Sequence, residues 1–291
     1  MCEIFRFRFD RRKTSRRTKD RDNFLTSLFV PIHSRNAFFA IRAFHAELGS
    51  VRSLSRGNAS AAGIRLAYWR DMIQNVLRDG NVTDHPIGIA LHEASMKHDL
   101  LPRWFERAIE ARSSVLDENT ALMPPTLGDA EDYADSVWGS SLFSVLECLS
   151  VTDDHAYDAA SCVGRSLGLV ALIRSIAIEL GAGNKVTIPE GGYGLTSEME
   201  SPDDLAVLSE LLCTRANDYL HDAQINIEKI GDKTSQRRAC IAMLPSLVGK
   251  RFIHDLSKIE YEIRAKAILR QQPVFSLQFS MLRSVLTRKI Y

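Results

Sequence analysis

The chain has 291 residues, of which 45% are hydrophobic and 25% are charged, and its formal net charge is +1. This length is enough to bury a large core, and the composition is that of a folded protein. The near-neutral charge gives no electrostatic reason to expect a nucleic acid partner. The five cysteines are widely spaced and form no Cys-x-x-Cys pair, which argues against both a disulfide framework and a zinc site.

The first 22 residues differ in charge from the rest of the chain, with nine Lys and Arg against four Asp and Glu. Basic residues separated by Ser and Thr are typical of a mitochondrial transit peptide. Acidic residues such as Glu3 and Asp10 are unusual in such a peptide, so a disordered basic tail is the alternative. We therefore separate residues 1–22 from residues 23–291, which we predict to form a single domain.

Helical periodicity dominates from Asn23 onward. Apolar residues at spacings of three and four form stripes within residues 66–77 and 205–230. The main strand candidate, Val186-Thr187-Ile188, is short and stops at Pro189. These patterns predict an all-α domain of about ten helices. The chain has no uninterrupted run of about 18 apolar residues, which argues against a membrane-spanning helix.

The segment after Pro273 has an unusually broad apolar surface. One stripe contains Val274, Leu277, Met281 and Val285, and beside it lie Phe275, Phe279, Leu282 and Leu286. Both stripes together are typical of a core helix. The alternative is an amphipathic helix that docks on a membrane surface or a partner.

A series of landmarks between about Asn23 and about Leu256 resembles the squalene/phytoene synthase family. The landmarks are Ser34-Arg35-Asn36-Ala37, Ala43-Phe44, Arg65-Leu66-Ala67-Tyr68-Trp69-Arg70, His85-Pro86, Tyr133 with Gly139, and Gly164 to Arg174 followed by Lys185 and Pro189. The resemblance implies an isoprenoid-synthase-like helical bundle.

The resemblance also implies where a metal site would lie. Active members carry D-D-x-x-D and D-x-x-x-D on two facing helices, and these carboxylates collect the Mg²⁺ ions that help diphosphate to leave. In this chain the acidic positions of the first motif fall on Gly49, Ser50 and Ser53, and those of the second fall on Ser175 and Glu179. Only one of these five positions is acidic, so we predict no metal site, no cofactor and no catalytic residue.

Other charged residues lie close to the two degenerate motifs. Glu47 is acidic but lies half a turn from the expected helix face. Arg70, Arg174 and Lys185 are candidates for an anion-binding pocket that accepts a phosphate or diphosphate without turnover. The alternative is that these basic residues form structural ion pairs with local acids.

Loss of the aspartates on a retained scaffold resembles a non-catalytic branch of the family. This resemblance implies a mitochondrial protein on the matrix side of the inner membrane, in peripheral contact with that membrane. Its implied partners are subunits or assembly intermediates of respiratory complex I, whose assembly it would assist. Two alternatives remain: a divergent prenyltransferase that condenses isoprenoid diphosphates, and an isoprenoid- or lipid-binding protein.

Overall fold

The structure is a computed structural model that describes residues 21–55, 58–116, 123–189, 191–193, 202–263 and 274–290. Regular secondary structure in these ranges is helical throughout, without a strand. The strand candidate at residues 186–188 lies in an irregular segment. The predicted all-α class is therefore confirmed, whereas the basic segment at residues 1–20 lies outside the described residues.

Twelve α-helices follow one another in the described part of the chain. In chain order they are α1 (Arg21–Ser27), α2 (Arg35–Leu54), α3 (Ala59–Ile73), α4 (Pro86–Ser95), α5 (Pro102–Ser113), α6 (Leu127–Ala134), α7 (Ser140–Cys148), α8 (Asp154–Gly181), α9 (Pro202–Lys229), α10 (Lys233–Ala242), α11 (Ser246–Ser257) and α12 (Val274–Thr287). Two π-helical turns, Gln74–Arg78 and Asp135–Gly139, continue α3 and join α6 to α7.

Local capping explains several helix starts. Pro86 occupies the first turn of α4, where a missing N–H costs nothing, and the ring of His85 accepts a hydrogen bond from the N–H of Ile87. Thr126 and Asp129 form a reciprocal capping box at the start of α6. These caps satisfy N–H groups that the helices themselves leave without a partner.

Helix α8 lies at the centre of the bundle. It packs against α6, α7, α9 and α11, and its buried residues contribute to two hydrophobic clusters. The predicted stripe of α9 faces this core, since Leu208, Leu212, Ala216 and Ala223 are each fully buried. The 3.6-residue period of the sequence therefore located the core face of α9 correctly.

Helices α2, α3 and α5 meet around the ring of Phe44, which is 0% exposed. Trp69 and Phe105 approach this ring edge-on, with centroid distances of 5.5 and 5.2 Å. Edge-to-face contacts of this kind add to the stability that comes from burying the rings. The Ala-Phe landmark therefore anchors the first half of the bundle.

Two glycines of α8 allow its backbone to approach the chain that joins α6 to α7. A Cβ on Gly164 would lie 2.5 Å from the backbone nitrogen of Gly139. A Cβ on Gly168 would also overlap the Cβ of Ala134. The packing therefore leaves no room for a side chain at either position.

By length and composition alone, α8 passes the test for a membrane-crossing helix, with a mean hydropathy of 1.5 over 18 residues. The sequence did not predict a membrane-spanning helix here, because charged residues such as Arg165 interrupt the apolar run. Half of the apolar window is buried inside the protein, as in the core helix of a bundle.

Candidate functional site

The positions of the first acidic motif lie on the C-terminal half of α2. Ser50 Oγ donates a hydrogen bond to the backbone carbonyl of Glu47 at 2.8 Å. Ser53 Oγ donates in the same way to the carbonyl of Ser50 at 2.9 Å. Both hydroxyl groups thus bond to their own helix, a common arrangement for serine in helices.

A guanidinium group lies next to the remaining position of this motif. Arg112 on α5 places a terminal nitrogen 3.6 Å from the Cβ that a side chain at Gly49 would have. Its Nε is buried and has no hydrogen-bond partner in the described part of the chain. Burial lowers the pKa of Arg112, and the neighbouring Tyr133 acts in the opposite direction. A positively charged side chain therefore lies beside the position at which the resemblance predicts a lost acidic residue.

Two further basic side chains of α2 lie close to Arg112. Burial, followed by the charges of Arg42 and Arg112, lowers the pKa of His45 well below its ordinary value of 6.5. Its imidazole is therefore neutral at physiological pH and stacks on Phe105. Arg42 donates a hydrogen bond to Ser141 Oγ at 2.8 Å, which ties α2 to α7. Sequence reasoning missed this group because its members come from helices that are distant in the chain.

The second motif lies on the C-terminal half of α8. Ser175 Oγ donates a hydrogen bond to the carbonyl of Ala171 at 2.9 Å. Glu179 accepts one from the side-chain amide of Asn184 at 2.5 Å, so this carboxylate holds the turn that follows the helix. The surviving acid of the motif therefore has a structural partner close in sequence.

The three candidate anion-binding residues have different surroundings. Arg70 on α3 forms an ion pair with Glu110 of α5 at 3.7 Å, with half of its side chain exposed. The guanidinium of Arg174 lies 4.5 Å from the centre of the Phe252 ring on α11. Lys185 is exposed in the segment after α8. A common anion site formed by these three residues stays a prediction.

The interior also contains carboxylates that the motif search did not find. Asp135 is 6% exposed and accepts a hydrogen bond from Arg107 at 2.6 Å. Glu131 is 8% exposed and accepts one from Arg215 at 2.6 Å. Charge-assisted bonds of this kind neutralise buried acids, and the bond to Glu131 raises the pKa of Arg215. Neither pair has a local sequence signal, because the partners lie 28 and 84 residues apart.

The residues do not fit the magnesium cluster that the fold family implies. Within the described ranges, no group of three His, Cys, Asp or Glu side chains could hold a metal ion. A hard divalent cation needs several oxygen ligands. At the predicted motif positions the structure instead provides a glycine beside Arg112, serine hydroxyls bonded to their own helices, and the single carboxylate of Glu179, which accepts a hydrogen bond from Asn184.

Two pockets lie away from the motif positions. A small pocket of about 60 Å³ lies between α2 and α4, with His33, Asn36 and Lys97 among its lining residues. Sites for drug-sized ligands usually enclose about 300–1,000 Å³. An open groove along α5 is lined by charged residues such as Arg103 and Glu106, a poor match for an apolar isoprenoid chain.

Comparison with known proteins identifies similar chains. A human protein named "NADH dehydrogenase (ubiquinone) complex I, assembly factor 6" is 27% identical over 85% of this chain and 73% of its own length. The cattle protein of the same name is 31% identical over 60% of this chain, and the mouse protein is 33% identical over 55%. The chain spans about half the length of these last two relatives, 50% and 46% respectively.

A solved structure and a family profile extend this comparison. The crystal structure of a dehydrosqualene synthase in complex with ligand superposes with a TM-score of 0.73 and covers 94% of this chain and 93% of that chain. At 15% identity this likeness establishes the shared fold. The profile of the squalene/phytoene synthase family matches residues 16–270. The chain therefore belongs to the squalene/phytoene synthase family.

Proposed function

We propose that this protein is a non-enzymatic assembly factor for mitochondrial respiratory complex I, built on a degenerate squalene/phytoene synthase scaffold. It acts on the matrix side of the inner membrane, in peripheral contact with that membrane. Its partners are subunits or assembly intermediates of complex I. It needs no cofactor for this role, because it binds proteins rather than transforming a substrate.

The non-enzymatic part of this proposal rests mainly on the position of the Arg112 guanidinium next to Gly49. Ionisation of an allylic diphosphate requires divalent cations held by carboxylates. A guanidinium 3.6 Å from the Cβ position of Gly49 repels such cations instead of binding them. The hydroxyls of Ser50 and Ser53 do not replace the missing carboxylates, because a neutral hydroxyl brings no negative charge to hold a divalent cation.

The names of the relatives support the assembly role. The human relative aligns with 85% of this chain, so the resemblance extends well beyond a single motif. A mitochondrial location agrees with the site of complex I. The nine basic residues among residues 1–22 agree with a transit peptide.

A genetic experiment tests the assembly role directly. We expect disruption of the gene to lower the amount of assembled complex I on native gels, with the isoprenoid products unchanged. Wild-type protein and the Glu179→Gln variant should both restore complex I, because the side-chain oxygen of glutamine can still accept the hydrogen bond from Asn184. Normal complex I together with altered sterols or carotenoids would refute the assembly role.

A biochemical experiment tests the absence of catalysis. We expect the purified protein to release no diphosphate from farnesyl or geranylgeranyl diphosphate in the presence of Mg²⁺. The Gly49→Asp variant restores one acid of the motif, and we expect it to remain inactive because the new carboxylate pairs with Arg112. The Gly49→Asn variant is the matched control of equal size. Magnesium-dependent turnover by the wild-type protein would instead support the prenyltransferase.

A further inference from the structure

Helix α12 presents a continuous apolar stripe to solvent. The exposed fractions are 86% for Phe275, 70% for Phe279, 46% for Leu282 and 65% for Leu286. Spacings of four, three and four residues align these side chains along one side of the helix. Single exposed hydrophobic residues are normal on a protein surface, but an aligned group of four is typical of an interaction site.

The helix does not need this stripe to hold its place in the bundle. Its other side carries Leu277, Met281 and Val285, each 3% exposed or less, and packs against α10 and α11. The sequence left open whether the two stripes together form a core face. The structure assigns one stripe to the core and leaves the other on the surface.

The charge of this part of the chain is uniformly positive. Residues 274–290 contain three of the 37 Lys and Arg of the protein and none of its 36 Asp and Glu. Arg283 and Lys289 are exposed at the C-terminal end of the stripe. The neighbouring helix α10 adds the exposed Lys233 and Arg237. This concentration of positive charge is complementary to a surface of negative charge.

Two hydroxyl groups on the exposed side of α12 donate hydrogen bonds within the helix. Ser280 Oγ donates a hydrogen bond to the carbonyl of Ser276 at 3.0 Å, and Thr287 Oγ1 donates one to the carbonyl of Arg283 at 2.8 Å. The bonds within the helix lower the cost of moving these hydroxyls into an apolar environment, because their O–H groups keep a partner there.

We infer that the Phe275–Leu286 stripe of α12 docks on the surface of an anionic phospholipid bilayer. The aromatic and aliphatic side chains enter the boundary between headgroups and acyl chains, while the basic residues contact the lipid phosphates. The identity of the membrane, the mitochondrial inner membrane, rests on the proposed function. The binding of the stripe to anionic lipid does not. The inference adds the surface of this protein that makes the contact and the lipid chemistry that this surface recognises.

Vesicle sedimentation with the full chain tests the inference. We expect the protein to bind phosphatidylcholine vesicles that contain phosphatidylglycerol at least about tenfold more than pure phosphatidylcholine vesicles, and to be released by salt. The double variant Phe275→Ser/Phe279→Ser should lose at least about tenfold of this binding. The matched control Ile64→Ser/Val82→Ser removes side chains that are 73% and 75% exposed elsewhere, and it should bind as the wild type does.

Thermal unfolding shows whether each variant is still folded. We expect unchanged melting temperatures, since all four substituted side chains are exposed. Equal binding by the wild type and the Phe275→Ser/Phe279→Ser variant would overturn the inference. The inference would also be overturned if the wild type bound no vesicles and the Phe275→Ser/Phe279→Ser variant lost a dimer or a complex I intermediate. The stripe would then be a protein-binding surface. A gene disruption that spares complex I would refute the proposed function but leave the lipid result standing.

Discussion

The buried carboxyl group of Glu147 should make the stability of this protein depend on pH. Glu147 lies on α7, is 6% exposed, and accepts hydrogen bonds from the backbone N–H of Leu101 at 2.9 Å and from Trp104 Nε1 at 2.7 Å. Burial raises its pKa from 4.5 to about 7, although the two N–H donors act in the opposite direction. The group therefore fastens the start of α5 to α7 while it titrates close to neutral pH.

The sign of the effect follows from proton binding. Because the pKa is higher in the folded state than in the unfolded chain, the folded protein binds more protons between pH 4.5 and about 7. The stability that this group contributes is complete below pH 4.5 and is lost as the pH rises through about 7. At about 1.4 kcal/mol for each pH unit, the loss reaches up to about 3 kcal/mol.

Urea unfolding at pH 5 and at pH 8, followed by circular dichroism, measures this loss. In the Glu147→Gln variant we expect the contribution of this residue to the pH dependence of the unfolding free energy to disappear, because the amide does not titrate. The variant should also be less stable at pH 5 by about 1–3 kcal/mol, since its NH₂ group faces one of the two N–H donors.

A second carboxyl group provides the control for this experiment. The hydrogen bond from Arg78 lowers the pKa of Glu106, so Glu106 titrates below the range in question. The Glu106→Gln variant should therefore keep the wild-type difference in stability between pH 5 and pH 8. If Glu147→Gln also keeps that difference in full, Glu147 is not the group responsible and the reasoning is wrong.

Three further predictions concern packing and charge in the bundle, each measured by thermal or urea unfolding. Gly164→Ala should lower the free energy of unfolding by about 1–3 kcal/mol or more, because its Cβ meets the backbone of Gly139 at 2.5 Å. The control Gly63→Ala, with open space around its Cβ, should raise that energy by about 0.5–1 kcal/mol. Phe44→Ala should cost about 3–5 kcal/mol, since the ring is 0% exposed. Arg112→Met should leave stability unchanged or higher, because it removes a buried charge while keeping an unbranched apolar side chain.

Specific results would contradict these three predictions. Equal effects of Gly164→Ala and Gly63→Ala would mean that the two backbones can separate at little cost. A loss below about 1 kcal/mol for Phe44→Ala would mean that neighbouring rings fill the cavity. A loss above about 2 kcal/mol for Arg112→Met would mean that the guanidinium has a partner that stabilises the fold.

Local patterns in the sequence were enough to predict the helices and much of the core. The side chains of α9 recur at spacings of three and four, and a helix places such residues on one side whatever its neighbours are. The stripe at residues 205–230 was therefore recognisable without a structure, and Leu208 and Leu212 are fully buried as expected. The resemblance to the family likewise assigns the degenerate motif positions to residues of α2 and α8, and this assignment stays a prediction.

The chemistry of the site could be predicted only in part. The absence of acids at Gly49, Ser50 and Ser53 is visible in the sequence. The guanidinium of Arg112 beside Gly49 is not, because α5 is brought against α2 only when the bundle packs. The same holds for the bond from Arg107 to the buried Asp135, whose partners lie 28 residues apart.

The sequence of α12 shows how far local information reaches. Periodicity established that this segment is helical and apolar on two sides, since both properties depend only on residues within a few turns. Which side faces the core depended on the helices packed against it: α10 and α11 cover Leu277 and Met281 but leave Phe275 and Phe279 exposed. Burial is a property of neighbours that are distant in the chain, and only the folded structure brings them together.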